Sequence, residues 1–310
     1  MLAHNLYIII VTYNGMPWLT KCLNSCKGHT TIVVDNASTD ATITFIKQNY
    51  KEVIILPQAK NLGFGAANNI GISYALNKGA EQVFLLNQDA YLVDDALDTL
   101  VKFQKENPSY GILSPIHINA KQDKLDIGFA NYTSFSNNPF FVSDAILKKT
   151  LQPVYEVPFV NAAAWLLSKA CLETVGGFDP LFFHYGEDDN YCQRVLFHKF
   201  KIGIIPNVYV IHDREHRDRP PIHAFTEPYF LSKEKHFKVV WANVNLDNNS
   251  ETCKQHFNRL LKESIKALIQ LNFKGFKGKI MEYKRLRAIK KVVMYSKDIN
   301  KTKGKHYLDF

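Results

Sequence analysis

The chain has 310 residues, 46% hydrophobic and 22% charged, enough for one large α/β domain with an appendage, or two modest domains, around a real core. Its net charge of +9 is uneven: residues 254–310 hold 16 Lys/Arg against 4 Asp/Glu, and residues 1–253 hold 22 against 25. The basicity belongs to the tail, so the nearly neutral body does not read as a nucleic-acid binder.

The opening Met1-Leu2-Ala3-His4-Asn5 has no basic stretch, and the apolar run Leu6–Val11 is too short for the core of a signal peptide. No stretch approaches the length of a bilayer span. A cytoplasmic protein, peripheral at most on the inner face of a membrane, is expected. Leu6–Val11 reads as a strand ending at Thr12-Tyr13-Asn14-Gly15, followed by a helix over Met16–Cys26 with Pro17 in its first turn. Cys22 and Cys26 lie one turn apart on that helix, and Cys171, Cys192 and Cys253 add no second close pair. Five such cysteines read as buried free thiols rather than a zinc site. Thr31–Val34 is a second strand, closed by Asp35-Asn36-Ala37-Ser38-Thr39-Asp40 ahead of a helix over Ala41–Gln48. Val53–Leu56 is a third strand, and Asn61-Leu62-Gly63-Phe64-Gly65 opens onto a helix running to Lys78. Val83–Leu86 is a fourth, closed by Asn87-Gln88-Asp89.

Strand, loop and helix alternate steadily over these hundred residues, the signature of a doubly wound, mainly parallel sheet with flanking helices. Ligands bind such sheets beyond the carboxyl ends of the strands. The polar clusters Thr12–Asn14, Asp35–Asp40 and Asn87–Asp89 all fall there and describe a pocket. Beyond Tyr110 the pattern breaks into shorter strands and longer loops, with 121–153 the least legible stretch. A strand over Phe159–Ser168, a helix to Thr174 and the turn Gly176-Gly177-Phe178-Asp179-Pro180 follow. Glu187–Phe200 reads as a helix, Lys201–Val210 as a strand interrupted by Pro206, and 212–221 as a charged loop. Residues 254–295 are helical and amphipathic, with Phe257, Leu261, Ile265 and Leu268 on one stripe and Ile280, Tyr283, Leu286, Ile289 and Val293 on another.

Each candidate residue has a plain and a chemical role. Asp35 at a strand end can accept a hydrogen bond from the ring N–H of a pyrimidine base, and equally can cap a turn. The loop Asn61–Gly65 brings backbone N–H groups ahead of a helix, toward a ribose or diphosphate. It matches neither a dinucleotide fingerprint nor a Walker A loop. Asp89 is placed to anchor a hard cation beside a diphosphate leaving group, or is a further polar turn residue. Glu187-Asp188-Asp189 are three consecutive carboxylates after the aromatic run Phe182-Phe183-His184-Tyr185. Crowding raises the pKa of at least one, which suits a general base, while the same charges also complement a helix N-terminus. His212, after the strand that begins at Lys201, reads either as a metal ligand or as an ordinary histidine.

The order of these segments is more specific than any one of them. Val11-Thr12-Tyr13-Asn14, Val33-Val34-Asp35-Asn36, Asn61-Leu62-Gly63-Phe64-Gly65, Leu86-Asn87-Gln88-Asp89, Gly176-Gly177-Phe178-Asp179 and Glu187-Asp188 with Arg194 follow one another over about residues 6–215. This series resembles the family 2 glycosyltransferases of the GT-A fold, and within them the rhamnosyltransferase-like members. The resemblance implies a catalytic domain over 1–225, its nucleotide-sugar half about 1–115 and its acceptor half about 116–225, followed by a basic helical extension over 226–310. It implies Thr12 and Asp35 at the nucleotide base, with Tyr13, Asn14 and Gln88 in the same pocket. Asn61, Gly63 and Phe64 would lie along the ribose and diphosphate. Asp89 would bind a divalent metal (Mn²⁺ or Mg²⁺) with the diphosphate, and His212 would complete the metal site. Asp188, beside Glu187, would be the base that deprotonates the acceptor, with Trp165 and His184 bordering donor sugar or acceptor.

Two departures accompany the resemblance. The first aspartate of the family's Asp-x-Asp motif is Asn87 here, leaving one carboxylate. No Gln-x-x-Arg-Trp motif of processive synthases is present, so one sugar per encounter is expected. The reaction implied is inverting, non-processive transfer from a UDP- or dTDP-sugar, of rhamnose type by analogy, to a glycan or lipid-linked acceptor in cell-surface polysaccharide synthesis. The basic tail suits an anionic membrane surface, and equally a helical cap packed on the domain. An inactive nucleotide-sugar-binding or membrane-surface scaffold is the rival reading, against which Asp89 and Asp188 speak. A nucleotidyltransferase would want a basic loop where Thr12-Tyr13-Asn14-Gly15 stands.

Overall fold

A computed structural model describes residues 5–214, 220–247 and 249–310. The first four residues, on which the reading of the leader partly rested, and 215–219 of the charged loop lie outside them. The first half is built as the alternation predicts: β1 (Leu6–Thr12), α1 (Met16–Ser25), β2 (Thr30–Asp35), α2 (Thr42–Asn49), β3 (Ile54–Pro57), α3 (Phe64–Asn77) and β4 (Gln82–Asn87). β2 and β4 flank β1, β3 flanks β2, and all four run parallel. Register sets Thr12 opposite Asp35 and Val11 opposite Asn87, so the polar strand ends meet along one edge.

The second half comprises β5 (Ala90–Leu92), α4 (Ala96–Glu106), β6 (Tyr110–Ile118), α5 (Ile127–Tyr132), α6 (Pro139–Ile146), β7 (Tyr155–Glu156), β8 (Ala164–Ser168), α7 (Lys169–Val175), α8 (Glu187–Phe197) and β9 (Lys201–His212). The sheet order is β3-β2-β1-β4-β8-β6-β9-β5, with β7 on β9. β8 runs antiparallel to both β4 and β6, so the sheet is mixed beyond its parallel half. Pro206 does not end β9. The strand absorbs it in a bulge, where Ile205 pairs Pro115 and Tyr209 pairs Ile116, with Asn207 at φ 64°. Residues 121–153, the least legible in sequence, hold α5 and α6. Alternate strand residues fill two cores: Ile9, Val34, Leu85 and Trp165 on one face, Ile8, Ile10, Val33 and Phe84 on the other.

Three helices follow, α9 (Glu227–Trp241), α10 (Asn249–Ile269) and α11 (Phe273–Asn300). They share a core of Phe237, Trp241, Cys253, Leu260, Leu286 and Val293, into which Phe182 inserts from the loop before α8. The stripe Leu261, Ile265 and Leu268 faces outward. The buried face of α10 is Cys253, His256, Leu260 and Ser264, offset by one residue. The second stripe does face inward, with Leu286 and Val293 fully buried. Among the described residues no helix is long and apolar enough to cross a membrane, and the five cysteines are free and buried.

Candidate active site

The β1–α1 turn is held by its own polar groups. Thr12 Oγ1 donates to Gln88 Oε1 (2.7 Å), and the Tyr13 N–H donates to the same oxygen (3.0 Å). Asn14 sits at φ 49°, donates its N–H to Ser38 Oγ (2.9 Å) and accepts from the Thr39 N–H through Oδ1 (2.9 Å). Asp35 is fully buried. Its Oδ2 accepts from the Ser38 N–H (3.0 Å), while Oδ1 has no partner. A buried carboxylate oxygen without a donor costs about 1–3 kcal/mol, so this atom keeps an acceptor to spare.

Asn36, quoted in sequence only as part of a motif, ties this edge to the Gly-rich loop. Its Nδ2 donates to Asn61 Oδ1 (2.9 Å) and its Oδ1 accepts from the Leu62 N–H (2.8 Å). Gly63, at φ 82°, has no room for a Cβ because the Phe183 carbonyl oxygen occupies that place. A Cβ on Gly65 would strike Phe178 and lie 3.6 Å from Glu187 Cβ. The loop is thereby pressed directly against the acidic cluster. Phe64 does not lie open along the loop; its ring packs edge-on against Phe178 at 5.9 Å.

Glu187 is buried, with Oε2 unpartnered; burial, then the charge of Asp188, pushes its carboxyl up to about 8. Asp189 is raised to about 6 by burial and by Asp188, and burial also raises Asp188. Lys235 of α9 opposes all three shifts and lies 5.0 Å above the Tyr185 ring. At neutral pH Glu187 is therefore mostly protonated. Asp188 is half-buried at the first turn of α8. His184 is exposed on the loop ahead of it.

Trp165 is a correction. It is fully buried in β8, stacked over Phe178 at 6.1 Å, and forms core rather than pocket wall. The reason is register: Trp165 pairs Leu85 in the interior of the sheet, behind the edge where the polar strand ends gather. Arg194 and Asp179 also serve structure. Arg194 donates to the carbonyls of Gly177 (2.7 Å) and Val175 and stacks on Tyr307. Asp179 accepts from Ser296 and from Asn300 (2.6 Å) of α11.

Asp89 is buried in the β4–β5 turn, and His212, the last residue of β9, has its Nε2 3.6 Å from Asp89 Oδ1. That gap exceeds a hydrogen bond, and both ring nitrogens of His212 are buried without a hydrogen-bond partner. Asn87 keeps an oxygen at the same strand end, also buried and unpartnered. A carboxylate, an imidazole and an amide oxygen form a donor set that fits a divalent cation. Among the described residues no group of three or more His, Cys, Asp or Glu surrounds a metal position.

Asp126 was not foreseen. It caps α5, lies 3.7 Å from His212 Nδ1 and is gripped by Arg214 through Nε (2.7 Å) and Nη2. Burial pulls the Asp126 carboxyl up, but the Arg214 and Phe129 hydrogen bonds outweigh it and hold it below the usual range. At 3.7 Å Asp126 does not hydrogen-bond His212 either; it places a negative charge behind the imidazole. The resemblance pairs residues 89 and 212; no sequence signal adds residue 126 to them, and only the fold does so.

Comparison with known proteins supplies a family. Residues 7–159 match the family model Glycosyl transferase family 2. The chain is 27% identical over 215 residues to dTDP-rhamnosyl transferase RfbF of Shigella flexneri, covering 67% of this chain and 69% of that one. It is 25% identical over 235 residues to N-acetylglucosaminyl-diphospho-decaprenol L-rhamnosyltransferase of Mycobacterium tuberculosis, covering 67% and 76%. In fold it resembles the crystal structure of GalNAc-T7 with UDP, GalNAc and Mn²⁺ (TM-score 0.56, 14% identity), spanning 77% of this chain and 48% of that one.

Proposed function

Since the chain carries a GT-A-fold, rhamnosyltransferase-like family 2 glycosyltransferase domain, we propose that it is an inverting, non-processive enzyme using a dTDP- or UDP-sugar, rhamnose-type donors favoured. The acceptor is a glycan or a lipid-linked saccharide of cell-surface polysaccharide synthesis. The observation that carries this reading is the contact of the Gly63–Gly65 loop with Phe183, Phe178 and Glu187, which joins the nucleotide edge to the acidic cluster. The relative named for dTDP-rhamnosyl transfer supports the donor class, and the one named for a diphospho-decaprenol substrate supports a lipid-linked acceptor.

In this mechanism the unpartnered Oδ1 of Asp35 accepts the imide N–H of the pyrimidine. Asp188 removes the proton from the acceptor hydroxyl as its oxygen attacks the anomeric carbon. The carbon–oxygen bond to the diphosphate breaks on the opposite face, the electron pair leaves with the phosphate, and the configuration inverts. Glu187, protonated, adds no second charge beside the base. A divalent cation held by Asp89 and His212 would neutralise charge on the diphosphate. Residues 226–310 are a helical extension of the catalytic domain, and their basic surface is a candidate contact with anionic membranes.

Asp188→Asn tests the assignment. Release of nucleotide diphosphate in the presence of acceptor should fall at least about a hundredfold, with donor affinity by calorimetry unchanged. Near-normal turnover would remove Asp188 from the role of base. A thermal-shift panel of UDP, dTDP, GDP, ADP and CMP, with and without Mn²⁺, identifies the nucleotide; no response to any of them would refute the donor reading.

A further inference from the structure

The segment between β6 and β7 presents an inverted helix. In α6 the inward side chains are Phe141, whose ring meets Tyr155 at 4.9 Å, and Asp144, buried and accepting from the Tyr155 hydroxyl (2.9 Å). Asn138 fixes the helix at its start, accepting from the Phe141 N–H and donating to the Glu156 carbonyl (2.7 Å). Three large apolar side chains of α6 and its C-cap stay outside the core: Phe140 is 64% exposed, Ile146 72% and Leu147 63%. A surface helix normally buries this stripe, and clustered exposure on one short helix marks a contact surface.

Charge identifies the partner. Lys148 and Lys149 follow directly and are exposed. The acidic groups of the same segment are turned inward or engaged: Asp123 by Asn119 (2.7 Å), Asp126 by Arg214 and Asp144 by Tyr155. The surface offered is apolar and cationic, the combination that binds anionic lipid. A second copy of the chain would bring its own two lysines to that face. The same segment walls the reaction centre, since α5 begins beside His212 at Asp126. It ends at Tyr132, whose hydroxyl pKa is raised by burial and then by the charge of Asp188.

We propose that the outer face of α6, with Lys148 and Lys149, docks on an anionic lipid bilayer and lays the acceptor side of the site against the membrane. Its purpose rests on the lipid-linked acceptor proposed above; the docking itself does not.

Flotation of the full chain with phosphatidylglycerol–phosphatidylcholine vesicles, against phosphatidylcholine alone, tests it. Wild type should float only with the anionic vesicles. The variant Phe140→Ser/Ile146→Ser/Leu147→Ser should lose flotation. Lys148→Ser/Lys149→Ser, which disturbs no packing, should bind roughly thirtyfold more weakly. Wild-type flotation by the lysine variant overturns the proposal. So does a wild-type dimer, seen by sedimentation, that dissociates in the serine variant while flotation persists. Leu261→Ser/Ile265→Ser/Leu268→Ser, on the outward stripe of α10, separates this surface from a membrane contact through the basic helices. Donor binding by calorimetry reports independently on the enzymatic reading.

Discussion

Glu187→Gln turns the electrostatics of the acidic cluster into a measurable quantity. The carboxyl moves from 4.5 in the unfolded chain to about 8 in the folded one. It therefore contributes no penalty below pH 4.5; folding stability then falls as pH rises, until the folded group also ionises near pH 8. At pH 7 the difference is 2.5 units, or about 3 kcal/mol at 1.36 kcal/mol per unit. Glutamine keeps the shape of the protonated acid and cannot ionise, so the variant should gain up to that amount at pH 7 and almost nothing at pH 4.5. For a chain of this length the gain is about 4 °C in midpoint. Thermal or urea unfolding of both proteins across pH 4.5–8 reads it directly, with nucleotide release followed on the same samples. Turnover should stay within about threefold, because a neutral Glu187 is what the mechanism already uses. A stability difference that does not change with pH, or a loss of stability at pH 7, would refute the charge argument. Loss of transfer comparable to Asp188→Asn would make Glu187 the base.

Three further outcomes follow from the geometry. Asp35→Asn puts an amide where the unpartnered oxygen stands, and should weaken UDP or dTDP binding by about 1–3 kcal/mol in calorimetry. Asp126→Asn removes the group behind His212 and should lower Mn²⁺ affinity by about 10–100-fold, read by calorimetric titration in the absence of substrate. Gly63→Ala forces a Cβ into the Phe183 carbonyl at φ 82°, and should cost about 1–3 kcal/mol in urea unfolding and abolish donor binding.

What could be read from the chain depended on whether a signal was local. β1 to β4 are continuous apolar runs closed by polar turns, so their parallel pairing and the gathering of their polar ends on one edge followed from pattern alone. β6 and β8 are equally apolar, and nothing in such a run distinguishes a parallel from an antiparallel neighbour; only the loop path decides that. The periodicity of Phe257, Leu261, Ile265 and Leu268 is genuine helix periodicity, yet only Phe257 packs on the core, and the face that the helix buries is Cys253, His256, Leu260 and Ser264. Hydropathy undervalues a face made of thiol, imidazole and hydroxyl when it meets Trp241 and Phe237. The resemblance alone puts Trp165 at the sugar, whereas its register places it in the sheet interior. Asp126 was out of reach for a simpler reason: its partner His212 lies 86 positions away.

The turn at 176–179 is finished by the far end of the chain. The Gly177 N–H donates to the His306 carbonyl (2.8 Å), the Gly176 Cβ position is filled by that same segment, and Asp179 is held from α11. Side chains 117 and 121 positions apart in sequence thus meet at the peptide that leads toward α8. A ribosome that has just delivered Asp188 has produced an unsupported loop. That loop gains these contacts only after residues through Leu308 have emerged and packed back over α3 and α7. A chain cut before α11 would therefore lack the hydrogen bonds that Ser296 and Asn300 give Asp179.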